Sequence, residues 1–173
     1  MQHLVGQGIL KIRVGRGTFV ADQAPVEEDF GFDQLKLTHL KLRDLYELRL
    51  MLEPQLTYYA ALRATDEELD NILSLGENIK HVSNLRDEDL VGNRLFHNAI
   101  ARASHNEFAI KLMDILHSAL IRAFHETGVR QVMSADSLQD HQLIMDFLRT
   151  RDAGGAKLAM ELHMKRAIQD YEI

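Results

Sequence analysis

The chain has no cysteine in its 173 residues, so disulfides, thiolate metal sites and cysteine nucleophiles are excluded. No stretch approaches the roughly 18 consecutive apolar residues of a membrane helix. The first ten residues, MQHLVGQGIL, lack the basic region and long apolar run of a secretory signal. These absences predict a soluble protein of a reducing compartment, with no membrane partner, and we expect it in the cytoplasm.

An excess of positive charge is also missing, because 26 acidic residues outnumber 20 basic ones and the net charge is −6. A surface that binds nucleic acid is usually basic, so most of this chain is not expected to be one. The first 20 residues differ, since they contain Lys11, Arg13 and Arg16 and no carboxylate. Charge therefore divides the chain into a short basic head and a long acidic body.

The head has the pattern of a β-hairpin. Apolar and basic residues alternate over residues 10–14, a Gly-Arg-Gly turn follows at 15–17, and Thr-Phe-Val resumes the alternation. The residues before it resemble the last turn of a helix that ends at a glycine. An isolated hairpin is marginal in water, so we expect this one to have lost a parent core upstream.

The body has helical apolar spacing from residue 40 onward and predicts an all-α, antiparallel bundle of six to seven helices. Thr65 and the acidic residues after it form an N-cap, and Gly128 ends a helix. Pro54 should kink or divide the first helix. We predict helices at about 40–63, 66–86, 88–103, 106–127, 134–150 and 153–171.

Three of the nine histidines fall on apolar helix faces. His97 follows Phe96, and His141 and His163 are each eleven residues from the turn at Asp152. Residues equidistant from the turn of a helical hairpin lie side by side, so His141 and His163 should point inward together. His117 and His125, on the fourth helix, are expected only to be partly buried or hydrogen-bonded.

Inward imidazoles are costly to bury unless something satisfies them. A divalent transition metal, zinc or nickel above all, is the simplest partner for His97, His141 and His163. Asn93 lies four residues before His97 and projects from the same helix face. The alternative is three core histidines that are satisfied separately.

Three segments resemble, in order, the effector-binding FCD domain of FadR-like regulators in the GntR family. These segments are LRDLYELRLMLEPQLTYYAALRAT, NRLFHNAIARASHNEF and DHQLIMDFLRTRDAGGAKLAMELHM. The head is similar to the end of the family's winged helix-turn-helix, without its earlier helices, so the chain looks truncated at its start. The resemblance divides the chain into a winged-helix remnant (1–22), a linker (23–39) and an FCD domain (40–173).

The resemblance implies specific roles for several residues. Many members of the family hold a metal with one aspartate and three histidines and bind a small organic acid there. Carried over, the ligands are His97, His141 and His163, and Asn93 stands in the aspartate position as a neutral oxygen ligand. Arg49 would bind the acid through its guanidinium, with an intrahelical pair to Glu53 as the simpler alternative.

The wing of such a protein contacts DNA, which gives weak roles to Arg13, Arg16 and Thr18. A wing alone cannot read base edges in the major groove, so DNA binding needs the complete winged-helix domain. The resemblance thus implies a non-enzymatic, homodimeric regulator whose DNA binding is controlled by a small carboxylate. The alternatives are a metal-dependent enzyme acting on a small acid or ester, and a metal-free helical interaction module.

Overall fold

A computed structural model describes residues 10–13, 17–20, 39–81, 87–129 and 135–170 of the chain. Several predictions lie outside these residues. They concern the helix end at residues 1–9, the hairpin turn with Arg16, and nearly all of the linker at 23–39. The chain divides into two compact units, one up to Leu35 and the other from Lys36 onward.

The first unit contains two strands, β1 (Leu10–Arg13) and β2 (Gly17–Val20). They pair antiparallel, with Leu10 opposite Val20 and Arg13 opposite Gly17. This is the strand pairing that the alternation of apolar and basic residues predicted.

The second unit contains six helices among its described residues, as the sequence predicted. Their ends agree with the predicted ones to within a few residues, and residues 82–86 of the second predicted helix lie outside the description. The helices are α1 (His39–Arg63), α2 (Asp66–His81), α3 (Asp87–Ala103), α4 (Glu107–Thr127), α5 (Ala135–Arg149) and α6 (Ala153–Asp170).

Local side-chain hydrogen bonds set several helix ends. The Thr65 hydroxyl accepts from the Glu68 amide at 3.1 Å, and the Glu68 carboxylate accepts from the Thr65 amide at 2.8 Å. This reciprocal pair is a capping box at the start of α2. At α4, Asn106 caps the first turn and Gly128 ends the helix with φ of 67°, a left-handed conformation that glycine adopts without strain. The predicted caps at Thr65 and Gly128 are therefore confirmed.

Pro54 does not divide α1, which continues without a break from His39 to Arg63. Proline removes one amide donor but leaves the rest of the helical ladder available. The predicted alternative of two separate helices is therefore wrong, because neighbouring helices bury α1 along its length.

Helix α1 is the central element of the bundle, since it packs against α3, α4, α5 and α6. Phe96, Met145 and Met160 are fully buried in a core built from the helices around it. Two hairpin-like pairs, α2 with α3 and α5 with α6, complete the packing. Within the described ranges, no helix is both long enough and apolar enough to cross a lipid bilayer.

The first turn of α6 offers a matched pair of glycines for testing this packing. A Cβ at Gly155 would overlap the Phe147 ring, whereas a Cβ at exposed Gly154 would only contact Asp152 at 3.5 Å. We expect Gly155→Ala to lower the free energy of unfolding by roughly 1–3 kcal/mol through overpacking. Gly154→Ala should raise it by up to about 1 kcal/mol through helix propensity.

Urea unfolding of both variants and the wild-type chain measures the difference. Equal stabilities for the two alanine variants would contradict the close approach of α6 to Phe147.

Candidate metal centre

Three helices bring the predicted histidines together inside the bundle. His97 of α3, His141 of α5 and His163 of α6 are all buried. One ring nitrogen from each lies within 4.8 Å of the others. The Nε2 atoms of His141 and His163 are 3.2 Å apart, and the His97 ring stacks on that of His163 with centroids 5.3 Å apart.

The turn between α5 and α6 accounts for the pairing of His141 with His163. Asp152 caps α6 by accepting from the Gly155 amide at 2.9 Å. The two histidines are equidistant from this turn, and α5 packs along α6. Their predicted proximity is confirmed.

Glu53 of α1 orients His97. Its Oε2 atom lies 2.5 Å from His97 Nδ1. A carboxylate accepts, so Nδ1 carries the hydrogen and the lone pair of the neutral ring is on Nε2. That Nε2 atom is buried and has no hydrogen-bond partner among the described residues. A metal ligand commonly has this arrangement, with a carboxylate holding the far side of the ring.

Arg49 and Glu53 form a buried ion pair within α1. Arg49 Nε donates to Glu53 Oε1 at 2.5 Å, and both side chains are almost fully buried. Burial by itself raises the pKa of Glu53, but the Arg49 guanidinium, the contact with His97 and the nearby His117 ring outweigh it. The pKa therefore lies well below its ordinary value, and Glu53 is an anion that supports both neighbours.

The surroundings of the three clustered imidazoles favour their neutral form. Burial holds the pKa values of His141 and His163 well below the ordinary value, and the Arg49 guanidinium adds to this effect. Burial also lowers the pKa of His97, although Glu53 opposes it. Neutral imidazole is the protonation state that a metal requires.

Asp140 lies beside the other end of the cluster. Its Oδ2 atom is 3.8 Å from His163 Nδ1, too long for a hydrogen bond, and its Oδ1 atom accepts from Arg166 at 2.6 Å. Burial raises the pKa of Asp140, and the Arg166 guanidinium opposes that shift.

A small pocket lies near the cluster. One of its lining residues, His117, has its ring centroid 6.4 Å from that of His97, and another, Asn93, is buried one helical turn before His97. The cavity volume is about 50 Å³, enough for several water molecules. Asn93 Oδ1 is buried and has no hydrogen-bond partner among the described residues. The pocket is lined by Arg49, Asn93, Arg94, His117, Leu120, Ile121 and Phe124.

Sequence reasoning did not assign Glu53 or Asp140 to the cluster and gave His117 only a structural role. His117 is buried, with Nδ1 2.5 Å from Asn98 Oδ1 and Nε2 3.7 Å from Glu53 Oε1. The sequence feature that pointed to Glu53 was its spacing of four residues from Arg49, which predicted only an intrahelical ion pair. Arg13 and Thr18 belong to the first unit, and Arg16 lies outside the described residues.

The donor set fits a divalent transition metal. Three neutral imidazoles and an amide oxygen are ligands that zinc and nickel accept. His97 Nε2 and Asn93 Oδ1 are buried polar atoms without partners in the described part of the chain. Such atoms are costly to bury, and a bound ion would satisfy them.

Comparisons with known proteins agree with this architecture. The FCD domain family matches residues 44–166. The chain is 24% identical to the Uxu operon regulator of Haemophilus influenzae, covering 91% of this chain and 60% of that protein. It is 27% identical to the Uxu operon transcriptional regulator of Escherichia coli, covering 94% and 66%. The chain thus spans less than two thirds of the length of these two relatives.

A solved structure, Streptococcus agalactiae GntR, superimposes with a TM-score of 0.74 at 27% identity, covering 98% of this chain and 78% of that one. The matched family region includes all three clustered histidines and most of the helical bundle. The chain therefore belongs to the FCD domain family of GntR-type transcriptional regulators.

Proposed function

We propose that this chain senses a small carboxylate at a metal held by His97, His141 and His163, with Asn93 as an oxygen ligand. The observation that carries the proposal is the cluster of three buried imidazole nitrogens within 4.8 Å of one another. When bound, the ion would supply positive charge and an open coordination position for an acid oxygen. Zinc and nickel are the ions that best suit the ligands.

The residues around the cluster support a sensor because they hold the binding groups in place. Glu53 fixes the ring of His97, and Arg49 is positioned by Glu53 at the edge of the pocket. Arg49 lines the pocket, and a guanidinium is suited to bind a carboxylate. An acid that binds one arrangement of these helices better than another would shift the protein toward that arrangement.

The whole regulator would be a cytoplasmic homodimer that binds DNA through a complete winged helix-turn-helix. Winged-helix proteins normally read two half-sites, which requires two copies. Arg13, Arg16 and Thr18 would then contact the DNA backbone from the wing. Binding of the acid would bias how the paired helical domains hold the two DNA-binding domains.

The alternative function, a metal-dependent hydrolase, is less favoured because the two carboxylates beside the cluster are already paired. Glu53 is engaged by Arg49 and His97, and Asp140 is engaged by Arg166. A general base must reach the proton that it abstracts, and these two carboxylates are already paired. A metal-free interaction module is less favoured because it would leave His97 Nε2 buried without a partner.

The first test is the metal content of the untagged chain. We expect about one ion per chain in the wild type, and occupancy reduced at least about fivefold in His163→Ala, because one of the three nitrogen ligands is lost. Elemental analysis after incubation with zinc, followed by desalting, measures it. His125→Ala, a change at an exposed histidine of α4, is the matched control.

Circular dichroism of both variants checks that the fold is retained. Equal zinc contents for His163→Ala and His125→Ala would remove the basis of the proposed site.

Asn93→Asp should tighten zinc binding by about tenfold or more, since a carboxylate replaces a neutral oxygen and adds a negative charge beside the cation. Competition against a chromophoric chelator at fixed pH gives the dissociation constants. Asn71→Asp adds the same charge at an exposed position of α2. If both variants bind zinc like the wild type, Asn93 does not ligate the ion.

The metal-free chain should lose stability as the pH falls below about 6.5. The folded-state pKa values of His141 and His163 are lowered by burial, so the unfolded chain binds protons that the folded chain does not. The stability is fully present above about pH 6.5 and falls by up to about 1.4 kcal/mol per pH unit for each such histidine.

Urea unfolding of chelator-treated protein between about pH 7.5 and 5 measures this slope. His141→Leu should reduce it, and His125→Ala should not. A free energy of unfolding that stays constant across this range would contradict burial of neutral imidazoles.

A further inference from the structure

The pocket beside the histidine cluster contains an arginine, Arg94, that has no counter-ion among the described residues. Arg94 of α3 lines this pocket, and its Nε atom is buried. Among the described residues, this Nε atom has no hydrogen-bond partner and the guanidinium forms no ion pair. A half-buried guanidinium in this state retains its full charge and its directional donors.

Arg49, the other arginine that lines the pocket, has its charge balanced by Glu53. Arg49 Nε lies 2.5 Å from Glu53 Oε1, and Arg49 Nη2 lies 3.5 Å from Glu53 Oε2. The pair of Arg49 and Glu53 is therefore formally neutral. Within the described part of the chain, the positive charge of the pocket that no carboxylate balances belongs to Arg94.

Two more unsatisfied atoms belong to residues that line the same pocket. Asn93 Oδ1 and His117 Nε2 are buried without hydrogen-bond partners in the described part of the chain. His117 Nδ1 is held by Asn98 at 2.5 Å, which fixes the ring. Buried polar atoms without partners are rare in proteins and costly. Asn93 Oδ1 is an acceptor that a bound cation would satisfy, and Arg94 Nε is a donor that an anionic ligand would satisfy.

The remaining wall of the pocket is apolar, and the space is small. Leu120, Ile121 and Phe124 of α4 form this wall, and the cavity volume is about 50 Å³. A ligand that fits must therefore be short, with few atoms between its charged ends.

Two separate positive centres at the site, the ion and Arg94, indicate two acidic groups on that ligand. The clustered histidines and Asn93 are neutral ligands, so a divalent ion there would keep its full charge, and Arg94 adds another positive charge. Building on the proposed function, we propose that Arg94 binds a second carboxylate of the effector, which is a short dicarboxylate. Arg94, rather than Arg49, then determines the preference for two acidic groups over one.

Calorimetric titration of the zinc-loaded full chain with acetate, malonate and succinate, at matched ionic strength, tests this assignment. In the wild type, malonate or succinate should bind at least about tenfold more tightly than acetate, since a charge-assisted, two-pronged hydrogen bond is gained. Arg94→Gln should remove this preference and leave acetate affinity within about threefold of the wild type. Arg94→Lys, which keeps the charge but loses the planar fork, should retain part of it.

Two controls separate binding from folding and from metal loading. Arg102→Gln removes an exposed arginine from the same helix, two turns further on, and should leave all three affinities unchanged. Elemental analysis should find the same zinc content in Arg94→Gln as in the wild type.

The role of Arg94 and acid sensing at the metal would be overturned by different results. A wild type that binds acetate as tightly as the dicarboxylates, or an Arg94→Gln variant that keeps the preference, overturns the role of Arg94 and leaves acid sensing at the metal intact. A zinc-loaded wild type that binds none of the three acids overturns acid sensing as well.

Discussion

The bundle depends on one electrostatic constraint, the burial of the Glu53 carboxylate at its centre. Glu53 is 3% exposed, and removing a carboxylate from water is expensive unless charges and hydrogen bonds compensate it. Arg49 from the same helix and His97 from α3 supply that compensation. Helix α1 packs against four other helices. Through its contact with His97, the Glu53 carboxylate also fixes how α3 and this histidine lie against α1.

The same carboxylate links the two halves of the site. One oxygen of Glu53 accepts from Arg49, which lines the pocket, and the other accepts from His97, which belongs to the histidine cluster. Asn93 belongs to the pocket lining and lies one turn before His97 on α3. A ligand that accepts hydrogen bonds from Arg49 would therefore weaken the hold of Arg49 on Glu53 and so change the environment of His97. This coupling is a physical route from ligand binding to helix movement.

Much of the local structure could be predicted because its causes are local. Thr65 and Glu68 are three residues apart and cap each other, and Gly128 adopts the left-handed conformation that ends α4. The proximity of His141 and His163 was predictable for a similar reason, since both are counted from one turn at Asp152. Division of α1 at Pro54 was the exception, because packing along the whole helix offsets the loss of one amide donor.

The sequence by itself determined the helices, their ends and the inward positions of the three histidines, since periodicity and capping depend on near neighbours. Only the tertiary structure decided which partners these histidines and arginines have. Glu53 and His97 are separated by 44 positions along the chain, and no spacing rule connects them. Likewise Arg94 follows Asn93 as an ordinary charged helix residue. Only the packing of α3 against α1 and α4 places it in a pocket where the described residues offer no counter-ion.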